Sequence, residues 1–131
     1  MAAKIEKFCA KSVYDPPTYA QGIKVTGGQT ILFISGQVAY DKKGGVACKG
    51  DFQGQARAVF KNLKAMVEAG GGKLSNIVKL NTYLTDIRYR ADLIPIRAEF
   101  FGKHLPASTL ITTPALAHPD WLIEVEAIAV I

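Results

Sequence analysis

The clearest hydrophobic pattern in the chain lies between residues 51 and 72. Apolar side chains recur there at steps of three and four residues, the period of one face of an α-helix. They are Phe52, Ala56, Val59, Phe60, Leu63, Met66 and Val67. Asp51 precedes them and can cap the first turn, and three glycines follow at 70–72. The pattern therefore predicts an amphipathic helix that begins after Asp51 and ends at Gly70.

Other segments show the patterns of strands. Residues 30–36 form a short apolar run that stops at a glycine, residues 108–113 follow a proline, and turn residues at 41–45 predict a hairpin. Residues 76–86 alternate instead. One predicted face carries Val78, Leu80, Thr82 and Leu84, and the other carries Ile77, Lys79, Asn81 and Tyr83.

A second helix is predicted to end within FFGKH, residues 100–104, but two starting points fit the sequence. With Asp92 as the N-cap, Pro95 lies in the first turn, where its missing N–H costs nothing. With a start near Tyr89, Pro95 lies inside the helix and should bend it. The sequence leaves both starts open.

The last strand, residues 122–131, indicates what covers each face of the sheet. One face is fully apolar and suits the helices: Ile123, Val125, Ala127, Ala129 and Ile131. The opposite face combines carboxylates with large apolar side chains: Leu122, Glu124, Glu126, Ile128 and Val130. Such a face is poorly suited to water, so we expect a partner subunit to cover it, with Glu124 or Glu126 near the seam. The element order predicts an α+β fold with two helices on one face of a sheet.

Length and composition narrow the class of protein. A chain of 131 residues fits one domain, so we predict a single domain over residues 1–131. Hydrophobic residues make up 49% and charged residues 21%, and no apolar run approaches the roughly 20 residues of a membrane helix. The N-terminal residues lack the apolar core of a secretion signal. We expect a cytoplasmic protein with no membrane partner.

Cysteine usage and charge add two further expectations. Cys9 and Cys48 lie far apart and outside any metal-ligand spacing, which predicts free thiols and no metal site. The net charge of +5 is mildly basic, but no stacked aromatic pattern or nucleic-acid-binding module accompanies it. We therefore do not expect nucleic acid as a partner.

Six segments, in the same order and over nearly the whole chain, resemble the Rid proteins, also called the YjgF family. They are TYAQG (18–22), FISGQV (33–38), DFQGQARAVFKNLKAMVEAGGG (51–72), IVKLNTYLTD (77–86), AEFFGKHLPAS (98–108) and IEVEAIAVI (123–131). The resemblance implies a chorismate-mutase-like fold with a mixed sheet, assembled as a homotrimer whose sheets line a central β-barrel. Ligand clefts would then lie between subunits, which agrees with the partner expected on the last strand.

The same resemblance implies a function and a set of site residues. The best-known members hydrolyse reactive enamines and imines, such as 2-aminoacrylate, and the resemblance implies no cofactor. Carried over to this chain, the glutamate that manages the attacking water is Glu124, and the backbone N–H that helps to hold the substrate is that of Leu110. The serine-glycine turn becomes Ser35 and Gly36, and the cleft tyrosine becomes Tyr19.

Two positions depart from the family pattern. Ser108 stands where the family has the arginine that holds the substrate carboxylate, and Ile94 stands where active members carry an asparagine. A guanidinium donates two parallel hydrogen bonds to a carboxylate, whereas a hydroxyl is a single neutral donor. Losing such a contact commonly costs about 1.5–3 kcal/mol, or roughly ten- to a hundredfold in binding. We therefore expect altered specificity or lost activity, with Ser108 as a substrate-binding hydroxyl.

Several other residues invite a functional role and have an ordinary alternative. Arg88, Arg90, Arg97 and Lys79 are candidates for supplying the missing charge, but solvated or ion-paired surface positions are the commoner role for such residues. Glu124 is either a general base whose pKa is raised by desolvation or a partner for a lysine or amide across the subunit seam.

The two histidines, His104 and His118, each stand alone without a neighbouring nucleophile. We do not expect either to be catalytic.

Three functions stay open at this point. The first is a trimer whose clefts bind a small carbonyl or imine metabolite and hydrolyse a C=N bond, in a deaminase reaction, on a substrate other than 2-aminoacrylate. The second is a non-enzymatic binding or regulatory protein that uses the same clefts. The third is the endoribonuclease activity or translation inhibition attributed to some relatives, which only the charge of +5 supports here.

Overall fold

The computed structural model describes residues 2–131, and within this range six strands and two α-helices follow one another along the chain. Their bounds are β1 Lys4–Phe8, β2 Gly22–Thr26, β3 Ile31–Gln37, α1 Phe52–Ala69, β4 Ile77–Leu84, α2 Arg90–Phe101, β5 Ala107–Thr112 and β6 Ile123–Val130. Short 3₁₀ turns at Leu74–Asn76 and Ile87–Tyr89 precede β4 and α2.

Four strands form a mixed sheet in the order β3-β6-β4-β5. β4 and β5 run parallel and are connected through α2, whereas β6 pairs antiparallel with both β3 and β4. β1 and β2 form a separate antiparallel pair, which the sequence patterns did not predict. Both helices contribute to one hydrophobic core with the sheet. The predicted α+β fold, with two helices on one face of a mixed sheet, is confirmed.

Helix α1 forms largely as its apolar stripe predicts. The Asp51 carboxylate accepts a hydrogen bond of 3.0 Å from the N–H of Gly54, and the helix ends at Gly70. The stripe is buried at Phe52, Ala56, Val59, Phe60, Leu63 and Val67. Met66 is 47% exposed, so its predicted place in the buried stripe is wrong. At 100° per residue it lies at the edge of the stripe, away from the sheet.

The alternation predicted for β4 fails at one residue. Ile77 was expected on the face of Lys79, but its side chain is fully buried in the core under the helices. The register between β4 and β6 shifts between Ile77 and Lys79, and this irregularity turns Ile77 back toward the core. Beyond the shift the alternation is confirmed by the buried residues Leu80, Thr82 and Leu84.

Helix α2 begins at Arg90, so the predicted start with Asp92 as N-cap is wrong. Asp86 instead caps the preceding 3₁₀ turn by accepting a hydrogen bond of 2.9 Å from the N–H of Arg88. Hydrogen bonds from the side chain and then the backbone of Arg88 lower the pKa of Asp86 to about 2. This turn leads directly into α2, which leaves no role for a later cap.

Pro95 consequently lies inside α2, where it has no N–H to donate to the preceding turn. The helix ends at Phe101 with Gly102 as its C-cap, within the predicted segment 100–104. The φ of Gly102, 57°, lies in the left-handed region, and its N–H donates to the carbonyl of Ala98 at 2.9 Å.

The two faces of the four-stranded sheet differ in exposure. On the helix side, β6 buries Ile123, Val125, Ala127 and Ala129, as predicted. We call the other side the open face; it carries the large apolar side chains Ile31, Phe33 and Ile111, which are between 50% and 78% exposed. Among residues 2–131, no helix combines the length and the apolar character needed to cross a bilayer.

Candidate functional site

The six predicted site residues divide into two groups on opposite sides of the sheet. On β5, Ser108 pairs in register with Leu80 and Leu110 pairs with Thr82. Both partners on β4 are buried under the helices, so the side chains of Ser108 and Leu110 also lie on the helix side. Glu124 alternates with the buried residues of β6 and therefore lies on the open face.

Tyr19, Ser108 and Leu110 line one cavity of about 320 Å³ between α2 and the β5 edge of the sheet. The segment before β2 reaches this edge because the N–H of Ala20 donates to the carbonyl of Pro106 at 3.1 Å, beside a bridge between Ala20 and Ala107. The other lining residues are Thr18, Ile87, Arg90, Leu93, Ile94 and Arg97. The structure thus brings together three of the predicted residues and the second departure from the family pattern, Ile94.

Arg97 supplies a charge to this cavity, and the expectation that it is an ordinary surface arginine is wrong. Its side chain is partly buried, and its Nη2 donates to the carbonyl oxygen of Thr18 at 2.8 Å. Burial, and secondly the positive charge of Arg90, lower the pKa of Arg97 below its ordinary value. A guanidinium stays protonated at neutral pH even so. A cation therefore borders the cavity that Ser108 lines, although it comes from α2 and not from β5.

The other basic candidates lie elsewhere. Arg88 is exposed and forms an ion pair with Asp86, which confirms the surface interpretation for this residue. Lys79 lies on the open face, where its Nζ donates to the hydroxyl of Thr109 at 2.9 Å. Arg90 is exposed but also lines the cavity of Ser108.

Ser35, Gly36 and Glu124 form the second group. Ser35 and Gly36 lie within β3 and not in a turn, and the register of β3 against β6 shifts between Ile34 and Gln37, at these two residues. A Cβ added to Gly36 would lie 2.7 Å from Cδ of Glu124, so the carboxylate packs directly over the glycine. Ser35 lines a shallow cavity of about 240 Å³ on the open face.

The surroundings of Glu124 shift its pKa upward. Burial, and secondly the nearby charge of Glu126, raise the pKa of Glu124. Glu126 in turn accepts a hydrogen bond of 2.6 Å from the hydroxyl of Tyr83. That hydrogen bond is the main reason why the pKa of Tyr83 is raised. Burial and the neighbouring charge thus make Glu124 a stronger base than an exposed glutamate.

Both histidines contact backbone groups. His104 lies with Nε2 2.7 Å from the carbonyl oxygen of Ile77, and Nδ1 of His118 accepts a hydrogen bond of 3.0 Å from the N–H of Asp120. Cys9 and Cys48 are free thiols. Among residues 2–131, no three His, Cys, Asp or Glu side chains are close enough together to hold a metal ion.

Sequence comparison identifies relatives along most of the chain. A protein-family model for Endoribonuclease L-PSP matches residues 12–131. A RutC family protein of Pyrococcus horikoshii is 40% identical over 111 residues, which cover 85% of this chain and 85% of the relative. A 2-iminobutanoate/2-iminopropanoate deaminase of Dermatophagoides farinae is 30% identical over 113 residues, or 86% and 85% of the two chains.

Solved structures show the same fold. The conserved Rid family protein YyfB from Yersinia pestis, a protein of unknown function, matches with a TM-score of 0.86 over 97% of this chain and 98% of its own, at 27% identity. E. coli TdcF, crystallised with bound serine, matches with a TM-score of 0.70 over 86% of this chain and 87% of its own, at 32% identity.

Proposed function

This chain belongs to the endoribonuclease L-PSP family, the Rid or YjgF proteins, and on that premise we propose that it binds a small imine metabolite and hydrolyses its C=N bond. The oxygen of a water molecule bonds to the imine carbon and the protons of that water pass to the nitrogen. The C–N bond then breaks, which yields a carbonyl compound and ammonia. The reaction requires a cavity that binds the substrate and a carboxylate that acts as general base toward the attacking water.

The cavity between α2 and β5 is the observation that supports this proposal most strongly. At about 320 Å³ it suits a small metabolite, and it combines the hydroxyls of Tyr19 and Ser108 with the apolar side chains of Ile94 and Leu110. The names of two relatives refer to ligands of this size, a bound serine in one case and two short 2-imino acids in the other.

We assign Glu124 the role of general base, which accepts a proton from the attacking water. Its raised pKa makes it a better proton acceptor near neutral pH than an exposed glutamate. Within one chain, β4 and the plane of the sheet separate Glu124 from Ser108. The proposed reaction therefore needs a second copy of the chain to bring its Glu124 to the cavity, as in the homotrimer with clefts between subunits that the family resemblance implies.

The test is imine hydrolysis by the purified protein and by Glu124→Gln. 2-Iminobutanoate can be generated in the cuvette by an amino-acid oxidase, and the release of 2-oxobutanoate is followed above the uncatalysed background. We expect Glu124→Gln to lower the rate on the order of a hundredfold, the usual contribution of a general base. Glu126→Gln is the comparison variant and should lower the rate much less, because it removes only the secondary contribution to the raised pKa of Glu124. Equal losses in the two variants, or no loss in Glu124→Gln, would overturn the assignment.

Ser108 favours a second candidate function, a non-enzymatic ligand-binding protein that uses the same cavity. A serine at this position, near the start of β5, cannot donate the two parallel hydrogen bonds of a guanidinium, and for that reason we expect slow turnover of 2-aminoacrylate. Ser108→Arg separates the two functions. Hydrolysis that appears only in the variant would favour the binding protein, and hydrolysis by the wild-type chain would favour the enzyme. Rapid turnover of 2-aminoacrylate by the wild-type chain would contradict our expectation about Ser108.

A further inference from the structure

We propose that Arg97, assisted by Arg90, binds the carboxylate of the ligand in this cavity, so that the anion is held by helix α2 and not by the strand that carries Ser108. The inference deepens the proposed function, on which it rests for the size of the ligand. Its basis is the arrangement of the two arginines and the surroundings of the Arg97 guanidinium.

Both arginines border the same cavity as Ser108. They are seven residues apart, two turns of α2, and so lie on one face of the helix. Among residues 2–131, no Asp or Glu side chain forms an ion pair with Arg90 or Arg97, although Arg57 and Arg88 elsewhere in the chain each have such a partner. Two cations therefore border a small cavity, and neither forms an ion pair with a carboxylate of residues 2–131.

The partial burial of Arg97 makes the site more than a pair of surface charges. One N–H group of its guanidinium is used on the Thr18 carbonyl, at 2.8 Å, and this bond fixes the orientation of the group. A guanidinium has five N–H donors, so others remain for a ligand. Burial and the charge of Arg90 both disfavour the cation, as the lowered pKa of Arg97 indicates. A bound anion would relieve both effects.

The rest of the lining defines the class of ligand. Leu93, Ile94 and Leu110 present apolar side chains next to the arginines, while Ser108 and Tyr19 add neutral hydroxyls. A short aliphatic 2-oxo or 2-imino acid matches this combination, with its carboxylate at Arg97 and its chain against the apolar residues. The cation lies on α2 and not on β5. A 2-oxo or 2-imino acid with a longer aliphatic chain should therefore bind better than the three-carbon acid of the same class.

The probe is 2-oxopentanoate, with 2-pentanone as the uncharged ligand of the same length, and calorimetry measures the dissociation constants. We expect Arg97→Met to weaken 2-oxopentanoate at least tenfold and Arg90→Met to weaken it about threefold, because Arg90 is more exposed. Arg88→Met is the matched control, since Arg88 is already paired with Asp86, and should leave binding unchanged. Binding of 2-pentanone should not respond to the loss of either charge.

Thermal unfolding shows whether a variant is folded, and a second variant replaces Arg97→Met if it is not. If Arg97→Met unfolds, Arg97→Lys keeps the charge without the fork and should weaken binding by less than tenfold. Unchanged binding in the Arg97 variants would overturn the proposal, as would inorganic phosphate binding as tightly as 2-oxopentanoate. If the wild-type chain binds 2-oxopentanoate through Arg97 but hydrolyses no imine, the proposed reaction fails while this inference stands.

Discussion

Gly36 packs against the side chain of Glu124, and a methyl group at position 36 would come within 3.0 Å of Oε2 and 2.7 Å of Cδ. The contact exists because β3 changes register against β6 between Ile34 and Gln37, which directs the backbone of Gly36 toward the neighbouring strand's side chain. Its φ is not in the left-handed region, so space rather than backbone strain requires the glycine. The glycine therefore helps to set the position of the candidate general base.

Gly36→Ala should leave the protein folded but impair any reaction that depends on Glu124. The added methyl meets the flexible end of a side chain, so we expect a loss of about 1 kcal/mol in the free energy of unfolding. The carboxylate has to move, so hydrolysis of 2-iminobutanoate should fall about tenfold or more. Urea denaturation and the imine assay measure the two effects.

A double-mutant cycle controls this prediction. Glu124→Ala removes the atoms that the new methyl would meet, so adding Gly36→Ala in that background should cost almost no further stability or activity. If the two changes were instead additive, Gly36 would act through some other neighbour.

The raised pKa of Glu124 predicts an unusual pH dependence of stability. Since its pKa is higher in the folded chain than in the unfolded chain, this carboxyl contributes stability at low pH, and the contribution is lost as pH rises through the folded pKa. Glu124→Gln should therefore flatten the stability profile above the ordinary pKa of glutamate. Side-chain carboxyl NMR should give a Glu124 pKa above 4.5 that falls in Glu126→Gln. A value at or below 4.5 in the wild-type chain would show that burial does not raise the pKa of Glu124.

Hydrophobic periodicity recovers the elements whose burial repeats regularly, and it fails where local geometry interrupts the repeat. α1 and β6 were predicted closely because each buries one continuous face. Ile77 was assigned to the wrong face because a register shift cannot be seen in a pattern of period two. The start of α2 was ambiguous because Asp86, which decides it, caps a 3₁₀ turn before the helix.

The candidate site was predictable only in part, for a related reason. The family resemblance supplied the residues on the strands, such as Ser108 and Glu124, but no sequence pattern shows that they lie on opposite faces of the sheet. The seven-residue spacing of Arg90 and Arg97 was a usable signal, since it puts both on one helix face. Whether that face borders a cavity depends on the packing of Thr18, which is 79 residues away from Arg97 in the chain.

Gln55 is a buried polar residue that periodicity also misses, and it predicts a large effect on stability. Its side chain is fully buried; Nε2 donates to the carbonyl of Asp120 at 2.8 Å, and Oε1 accepts from the N–H of Leu122 at 2.8 Å. Gln55→Leu keeps a similar side-chain volume but leaves each of these two backbone groups without its side-chain hydrogen-bond partner. The free energy of unfolding, measured in urea, should therefore fall by about 2–4 kcal/mol. Gln53→Leu, exposed on the same helix, is the control and should change stability by less than about 0.5 kcal/mol. Similar effects in the two variants would contradict this role for Gln55.

Phe33 provides the test of assembly, because it is 78% exposed on the open face, on the edge strand β3. A partner subunit that covers this face would bury the ring, so we expect the wild-type chain to sediment as a trimer and Phe33→Asp to sediment mainly as monomer at micromolar concentration. Met66→Asp is a matched control, since Met66 is an exposed apolar residue on α1, away from the open face, and this variant should remain trimeric. A wild-type monomer, or a trimeric Phe33→Asp, would mean that the open face is not the interface. In that case Glu124 could not reach the Ser108 cavity of a neighbouring copy by this route.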